Sequence, residues 1–238
     1  MKLVISSTRY LFWKARVTLL FMKIKLNEIF SSIDGEGLTA GALATFVRLT
    51  GCNLRCSYCD TAYAFNDGNE MDIDDIVKKC HELGNRHITL TGGEPLFQEN
   101  SMVLLKKLIN EGFHVNLETN GSITIPSDIE QGLTITMDWK TPASAMHRHM
   151  KDENLCHLRE SDCLKIVCSE SDFHYVKDLL MEYRPKCYVY LSPIFGECDA
   201  GNLVGFLKEL HSDGLDTEKY RVQIQLHKVI WDPQKRGV

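Results

Sequence analysis

The 238-residue sequence has no uninterrupted apolar run of about 18 residues, the length a membrane-crossing helix needs. No bilayer-spanning segment is therefore expected. It has no excess of basic charge. Lys and Arg number 27 against 32 Asp and Glu, a net charge of -5, which argues against nucleic acid as a partner. It shows no internal repeat and no low-complexity tract. With 44% apolar and 25% charged residues it is not a disordered chain, a collagen-like fibre or a coiled-coil rod. A secretion signal is not expected either. Residues 1–21 are basic and apolar, but Lys14 and Arg16 interrupt the apolar run and no small-residue cleavage site follows. These residues read as an N-terminal extension or a mis-called start, ahead of a domain over 22–238 that opens at Met22.

Cysteine, by contrast, is plentiful. There are nine, an odd number that cannot all pair internally. Without a secretion signal the expected compartment is a reducing cytoplasm, where clustered cysteines bind metal or do redox chemistry. The rest of the chain alternates short apolar runs with longer amphipathic segments. Strands are expected at 44–49, 87–90, 114–118, 133–137, 163–167, 188–191 and 221–225. They are read as near-continuous apolar runs with little alternation, covered on both faces. Helices are expected at 72–83, 101–110, 171–183 and 202–210. Acidic residues open the first of these and Gly84 follows it. Strand–helix–strand units imply an α/β fold with mostly parallel strands. A closed eightfold barrel takes about 250 residues, so this length points to an incomplete (β/α) barrel. In such sheets chemistry sits at the carboxyl ends of the strands.

The most informative segment follows the first of those strands. Gly51-Cys52-Asn53-Leu54-Arg55-Cys56-Ser57-Tyr58-Cys59-Asp60-Thr61 spaces Cys52, Cys56 and Cys59 as C-x3-C-x2-C. Three thiolates on one short loop can hold three irons of a [4Fe–4S] cluster, and with no fourth cysteine nearby one iron stays open. A structural zinc site needs four closed ligands, and the next candidates, Cys80 and His81, fall inside an expected helix. The other cysteines (80, 156, 163, 168, 187 and 198) are scattered, and Cys163, Cys168 and Cys187 read as buried small hydrophobes.

A second element is Thr91-Gly92-Gly93-Glu94-Pro95, directly after a strand. Adjacent glycines let a ligand reach the backbone, and Glu94 offers charge for a cation; alone, the motif is also an ordinary Gly-Gly turn. A third is Glu118-Thr119-Asn120-Gly121, which alone is a simple Asn-Gly turn. Together these motifs resemble the radical S-adenosylmethionine (SAM) superfamily. The resemblance implies a radical SAM barrel, SAM bound at the open iron, and hydrogen abstraction by a 5′-deoxyadenosyl radical. It places SAM contacts at Tyr58, Cys59, Asp60, Gly92, Gly93, Glu94, Asp138, Trp139, Lys140, Ser192, Pro193, Ile194 and Phe195.

Within the superfamily, the run from Glu28 through Ile33-Asp34-Gly35-Glu36-Gly37, Arg48 before the cysteines, Asp60-Thr61 after them, and Gln223-Ile224-Gln225-Leu226-His227-Lys228 resemble the 7-carboxy-7-deazaguanine synthase family. That family acts in queuosine and other 7-deazapurine biosynthesis. It contracts the ring of 6-carboxy-5,6,7,8-tetrahydropterin and releases ammonia, with SAM and Mg2+ as cofactors. The resemblance implies substrate contacts at Ile33, Asp34, Gly35, Glu36, Arg48, Thr91 and His227, and Thr61 as the protein's ligand to Mg2+. It also implies a homodimer and an electron donor such as flavodoxin or ferredoxin. The residue chemistry agrees in part. Arg48 carries a planar cationic fork suited to a carboxylate, and Thr61 a hard oxygen suited to Mg2+. Each also has a plain structural role, an ion pair for Arg48 and a turn for Thr61. The chain departs from the family at Asp34, where many relatives have Gln, at Asp138-Trp139-Lys140, where Ser-Pro-Lys is usual, and in a tail ending Lys235-Arg236-Gly237-Val238. Two rivals remain at this stage. A glycyl-radical-enzyme activase shares the cysteine and Gly-Gly-Glu motifs but has a protein substrate. A non-catalytic iron–sulfur scaffold has no use for a methionine site.

Overall fold

A computed structural model describes residues 22–125 and 131–238. The expectation for residues 1–21 lies outside the described residues. Nine strands form one sheet: β1 (Lys23–Ile33), β2 (Leu43–Leu49), β3 (Asn69–Asp72), β4 (His87–Gly92), β5 (His114–Thr119), β6 (Leu133–Lys140), β7 (Cys163–Cys168), β8 (Tyr188–Pro193) and β9 (Tyr220–Val222). Their order is β3-β1-β2-β4-β5-β6-β7-β8-β9. The run from β2 to β9 is parallel throughout, and only β1 and its pairings with β2 and β3 are antiparallel. The edge strands do not meet, so the barrel stays open. This is the incomplete (β/α) barrel that the chain length implies.

Alternation along the parallel strands sets the architecture. Ile88 and Leu90 of β4, Val115 and Leu117 of β5, Ile135, Met137 and Trp139 of β6, and Leu164 and Ile166 of β7 are buried in one core. They pack against the helices α1 (Ile73–Leu83), α2 (Ser101–Asn110), α4 (Phe173–Tyr183) and α5 (Ala200–Ser212); a short α3 (Glu153–His157) precedes β7 and a short α6 (Leu226–Ile230) follows β9. Leu104, Leu105 and Leu108 of α2 are fully buried in this layer. Burying each side chain stabilises the fold by roughly 1.5–3 kcal/mol, and Leu105→Asp would break the seam. The intervening residues Arg48, Thr91, Glu118, Thr136, Asp138, Lys140 and Lys165 face the other way and line a cavity. The strands therefore alternate, contrary to the near-continuous apolar runs read from the sequence. One face is covered by helices, and the other encloses a polar lumen.

Local signals placed the helix ends well. Asp72 caps α1 by accepting from Asp74 N at 2.9 Å, and Gly84 closes it with φ 75. The ends of the sheet were less legible. The strand expected at 221–225 is shorter, Tyr220–Val222, because Leu226 N donates to Gly35 O at 3.1 Å and draws the chain off the sheet edge into α6. His227 thus lies on a helix, not at a strand end. Residues 28–33 belong to β1. The four-residue β3, Asn-Glu-Met-Asp, carries no apolar pattern and exists through its pairing with β1.

Candidate active site

The cavity opens at the carboxyl ends of the parallel strands and has a volume of ≈ 630 Å³. One wall is the cysteine loop after β2. Gly93 N donates to Leu49 O at 3.2 Å and Glu94 N to Gly51 O at 2.8 Å, which binds the end of β4 to the start of that loop. The glycines are required by this contact. A Cβ on Gly92 would lie 2.5 Å from Leu49 O, and one on Gly93 would lie 2.6 Å from the Cβ of Cys52. On the far side of the loop, Ser57 N donates to Ser144 O at 3.1 Å and Ser57 Oγ to Ala143 O at 2.6 Å.

Held this way, Cys52, Cys56 and Cys59 are half-buried free cysteines that all line the cavity. Burial raises all three thiols, Cys56 to about 11, so a metal centre must displace their protons when it binds. Leu54 N donates to Cys52 Sγ at 3.4 Å, and Asn120 Nδ2 approaches the same sulfur at 3.8 Å. Three soft donors from one short loop, with no fourth cysteine lining the cavity among the described residues, fit a [4Fe–4S] cluster with an open iron.

The opposite wall is ionic. Lys165 Nζ lies 2.8 Å from Glu36 Oε2 and 3.1 Å from Asp138 Oδ2, and Lys140 Nζ lies 3.0 Å from Asp138 Oδ1. Although burial disfavours their charged forms, these partners hold Asp138 below and Lys140 and Lys165 above their ordinary ranges. Burial raises Glu118, opposed by Lys165 and by a hydrogen bond with Thr91. Glu36 Oε1 is buried with no hydrogen-bond partner.

At the mouth, Arg48 is anchored through Nε to Glu28 Oε1 at 2.7 Å, its partner across the β1–β2 register, and Tyr63 Oη donates to the same oxygen at 2.8 Å. The expected cationic fork is therefore also a half-buried ion pair. Residues 233–238 border this end, with the Arg236 guanidinium 3.8 Å above the Tyr63 ring. Thr61 Oγ1 donates to Asp60 Oδ1 at 2.8 Å, and Lys228 Nζ reaches Asp60 Oδ2 at 2.7 Å. Against the desolvation that would raise it, Lys228 holds the Asp60 carboxyl well below the usual range. His227 covers Gly35, where any Cβ would collide with its ring, and burial lowers its pKa.

Most of the expected site residues meet here. Ile33, Gly35, Glu36, Arg48, Tyr58, Cys59, Asp60, Thr61, Thr91, Gly92, Gly93, Asp138, Lys140, Ile194, Phe195 and His227 all border the cavity. Five do not. Glu94 is fully buried between the loops, accepting from Leu96 N at 2.9 Å, Thr119 Oγ1 at 2.9 Å and Asn120 N at 2.7 Å; burial pushes it up to about 7. It joins the β4 and β5 ends, with all three of these hydrogen bonds coming from the chain itself. Trp139 points into the helix-side core, its Nε1 donating to Tyr175 Oη at 3.1 Å. Asp34 accepts from Thr39 Oγ1 and Thr89 Oγ1, each at 2.6 Å, at the opposite end of the lumen. Ser192, whose hydroxyl is buried without a partner, and Pro193 lie behind the wall. The sequence reading missed Glu28, Tyr63, Lys165, Gln225 and Lys228 as site residues. Period-two alternation would have found Lys165 and would have turned Trp139 away from the site, because Asp138 and Lys140 share the lumen face.

Residues 46–154 match the Radical SAM superfamily. The chain is 38% identical to 7-carboxy-7-deazaguanine synthase of Clostridium acetobutylicum, over 91% of this chain and 100% of that protein. It is 34% identical to the Methanospirillum hungatei protein of the same name, over 88% and 86%. In fold it matches the crystal structure of QueE from Escherichia coli, with a TM-score of 0.69 and 21% identity, over 93% of this chain and 100% of that one.

Proposed function

The chain belongs to the 7-carboxy-7-deazaguanine synthase family of radical SAM enzymes, and from that premise we propose how its residues divide the work. The protein is a radical SAM lyase that forms 7-carboxy-7-deazaguanine. Its substrate in this reading is 6-carboxy-5,6,7,8-tetrahydropterin, with ammonia as the second product. One observation carries the division of roles: three thiols on one wall of a single cavity face an ionic wall that holds a buried carboxylate oxygen with no partner.

Cys52, Cys56 and Cys59 hold the cluster, which when bound supplies the electron that cleaves SAM. The Tyr58–Asp60 segment, Gly92, Gly93, Asp138, Lys140, Ile194 and Phe195 border the volume between cluster and strand ends, and they orient SAM there. Arg48, preset by Glu28, receives the pterin carboxylate as a charge-assisted pair. Glu36 Oε1 accepts from the pterin N–H groups, and Thr91 and His227 complete that wall. Thr61 supplies one oxygen to Mg2+, the remainder coming from substrate and water.

No helix among the described residues is long and apolar enough to cross a membrane. A cytoplasmic location, reduction by a flavodoxin or ferredoxin, a homodimer and a functional domain over 22–238 complete the proposal. The direct test is anaerobic. The protein is reconstituted with iron and sulfide and given reductant, SAM, Mg2+ and 6-carboxytetrahydropterin. The expected result is 7-carboxy-7-deazaguanine by mass. SAM cleavage without that product would overturn the substrate, and absence of SAM cleavage would overturn the site.

A further inference from the structure

Lys165 belongs to none of the motifs that identify the family, yet it sits at the centre of the ionic wall. It projects from β7 into the lumen, and its side chain and that of Glu36 are each only 11% exposed. Its ammonium touches two carboxylates of different function. Asp138 has a second cation in Lys140, at 3.0 Å. Among the described residues Glu36 has no other cation in contact. The remaining partner of its Oε2 is Gln225 Nε2 at 3.3 Å. Lys165 thus engages one oxygen of Glu36 and leaves the other, Oε1, buried and unpartnered. If Lys165 served only to neutralise buried acid, nothing would require an acceptor to stay desolvated and unsatisfied. Asp138 Oδ1 also lacks a hydrogen bond but keeps the Lys140 ammonium at 3.0 Å, whereas Glu36 Oε1, on the cavity wall, is matched to a donor brought by a ligand.

We propose that Lys165 is a positioning residue for the pterin: by fixing Oε2 of Glu36 it presents Oε1 as a preset acceptor for the N–H donors of the substrate ring. The effect is preorganisation. With Lys165 in place Glu36 is already oriented, so the substrate does not have to order it on binding. Asp138 keeps Lys140, so the SAM side of the cavity depends on Lys165 far less. The inference rests on the assignment of Glu36 to the pterin made above.

The test measures binding, not turnover. Cluster-loaded enzyme is kept oxidised and anaerobic, and dissociation constants for SAM alone and for 6-carboxytetrahydropterin in the presence of SAM are measured by calorimetry. Lys165→Met should weaken pterin binding about tenfold or more while the SAM constant stays within about threefold. Glu36→Gln should weaken it comparably, and the double variant should be no weaker than the worse single variant, because Lys165 acts through Glu36. Pterin binding unchanged in Lys165→Met but lost in Glu36→Gln would overturn the inference and leave the Glu36 assignment standing. Unchanged binding in Glu36→Gln would overturn the assignment itself. Losses that multiply in the double variant, or equal losses for SAM and pterin, would also overturn it. Should Lys165→Met not fold, Lys165→Arg keeps the charge and decides the matter. Weaker pterin binding at an unchanged Tm supports the proposal, and wild-type binding overturns it.

Discussion

Asp34 and Glu36 stand two residues apart on one loop, and they end at opposite ends of the same lumen. Asp34 closes the amino-terminal end, where a cavity of only ≈ 50 Å³ remains and two threonine hydroxyls satisfy both its oxygens. Glu36 faces the wide carboxyl-terminal end, where Lys165 and Gln225 share one oxygen and the other has no partner. The residue type is nearly the same and both are buried or nearly so. They differ in whether the chain supplies every hydrogen-bond partner. At Asp34 the satisfied acid holds the fold together, and at Glu36 an acceptor is left open on the cavity wall.

The largest test of this contrast is at the cluster wall. Cys52→Ala, Cys56→Ala and Cys59→Ala should each abolish cluster absorbance and SAM cleavage together. A variant with full SAM cleavage would remove the metal from the open end. Next is Arg48→Ala, which should lower kcat/KM for the pterin roughly ten- to a hundredfold, the range for a lost charged hydrogen bond, and spare SAM binding. Equal loss of both would make the Arg48–Glu28 pair structural.

Glu94→Ala probes a satisfied acid set inside the functional end. It orphans the N–H groups of Leu96 and Asn120, at about 1–3 kcal/mol for each unsatisfied donor. A fall in Tm and in cluster yield is expected, with SAM affinity kept per loaded cluster. Thr61→Ala should raise the Mg2+ concentration needed for half-maximal rate several-fold, and an unchanged Mg2+ titration would remove Thr61 from the site.

The smallest effect is expected at the closed end. Asp34→Asn should leave kcat/KM within about twofold, since the side chain faces away from the cavity. Its signature is in pH. Burial raises Asp34 above its ordinary value, opposed by Thr39, Thr89 and His87. Between the unfolded and folded pKa values the native state binds more protons, so stability falls as pH rises. The Tm of the wild type relative to Asp34→Asn should decline as pH climbs out of the ordinary carboxylate range. A large loss of pterin binding in this variant would erase the difference between the two ends.

The cysteine loop, the paired glycines and α1 were legible because their determinants are local. Ligand spacing, backbone approach and caps all lie within a few residues. Lys165 and Glu28 were not legible as site residues, because a lone Lys on an apolar strand and a Glu on β1 acquire meaning only from their partners. Lys165 meets Glu36, which is 129 residues away in sequence, and Glu28 meets Arg48 across a strand pair. Glu94 misled for the opposite reason. Its motif is correctly placed beside the cluster loop, but the carboxylate turns inward to three donors that no spacing announces.

The sequence by itself determined the α/β barrel, the cysteine loop and the family, since these follow from local periodicity, cysteine spacing and similarity along the chain. Only the tertiary structure decided which acids are closed and which are open. Satisfaction of a buried charge is a property of what surrounds it in space. In a parallel barrel those surroundings come from strands far apart in sequence that meet on one lumen.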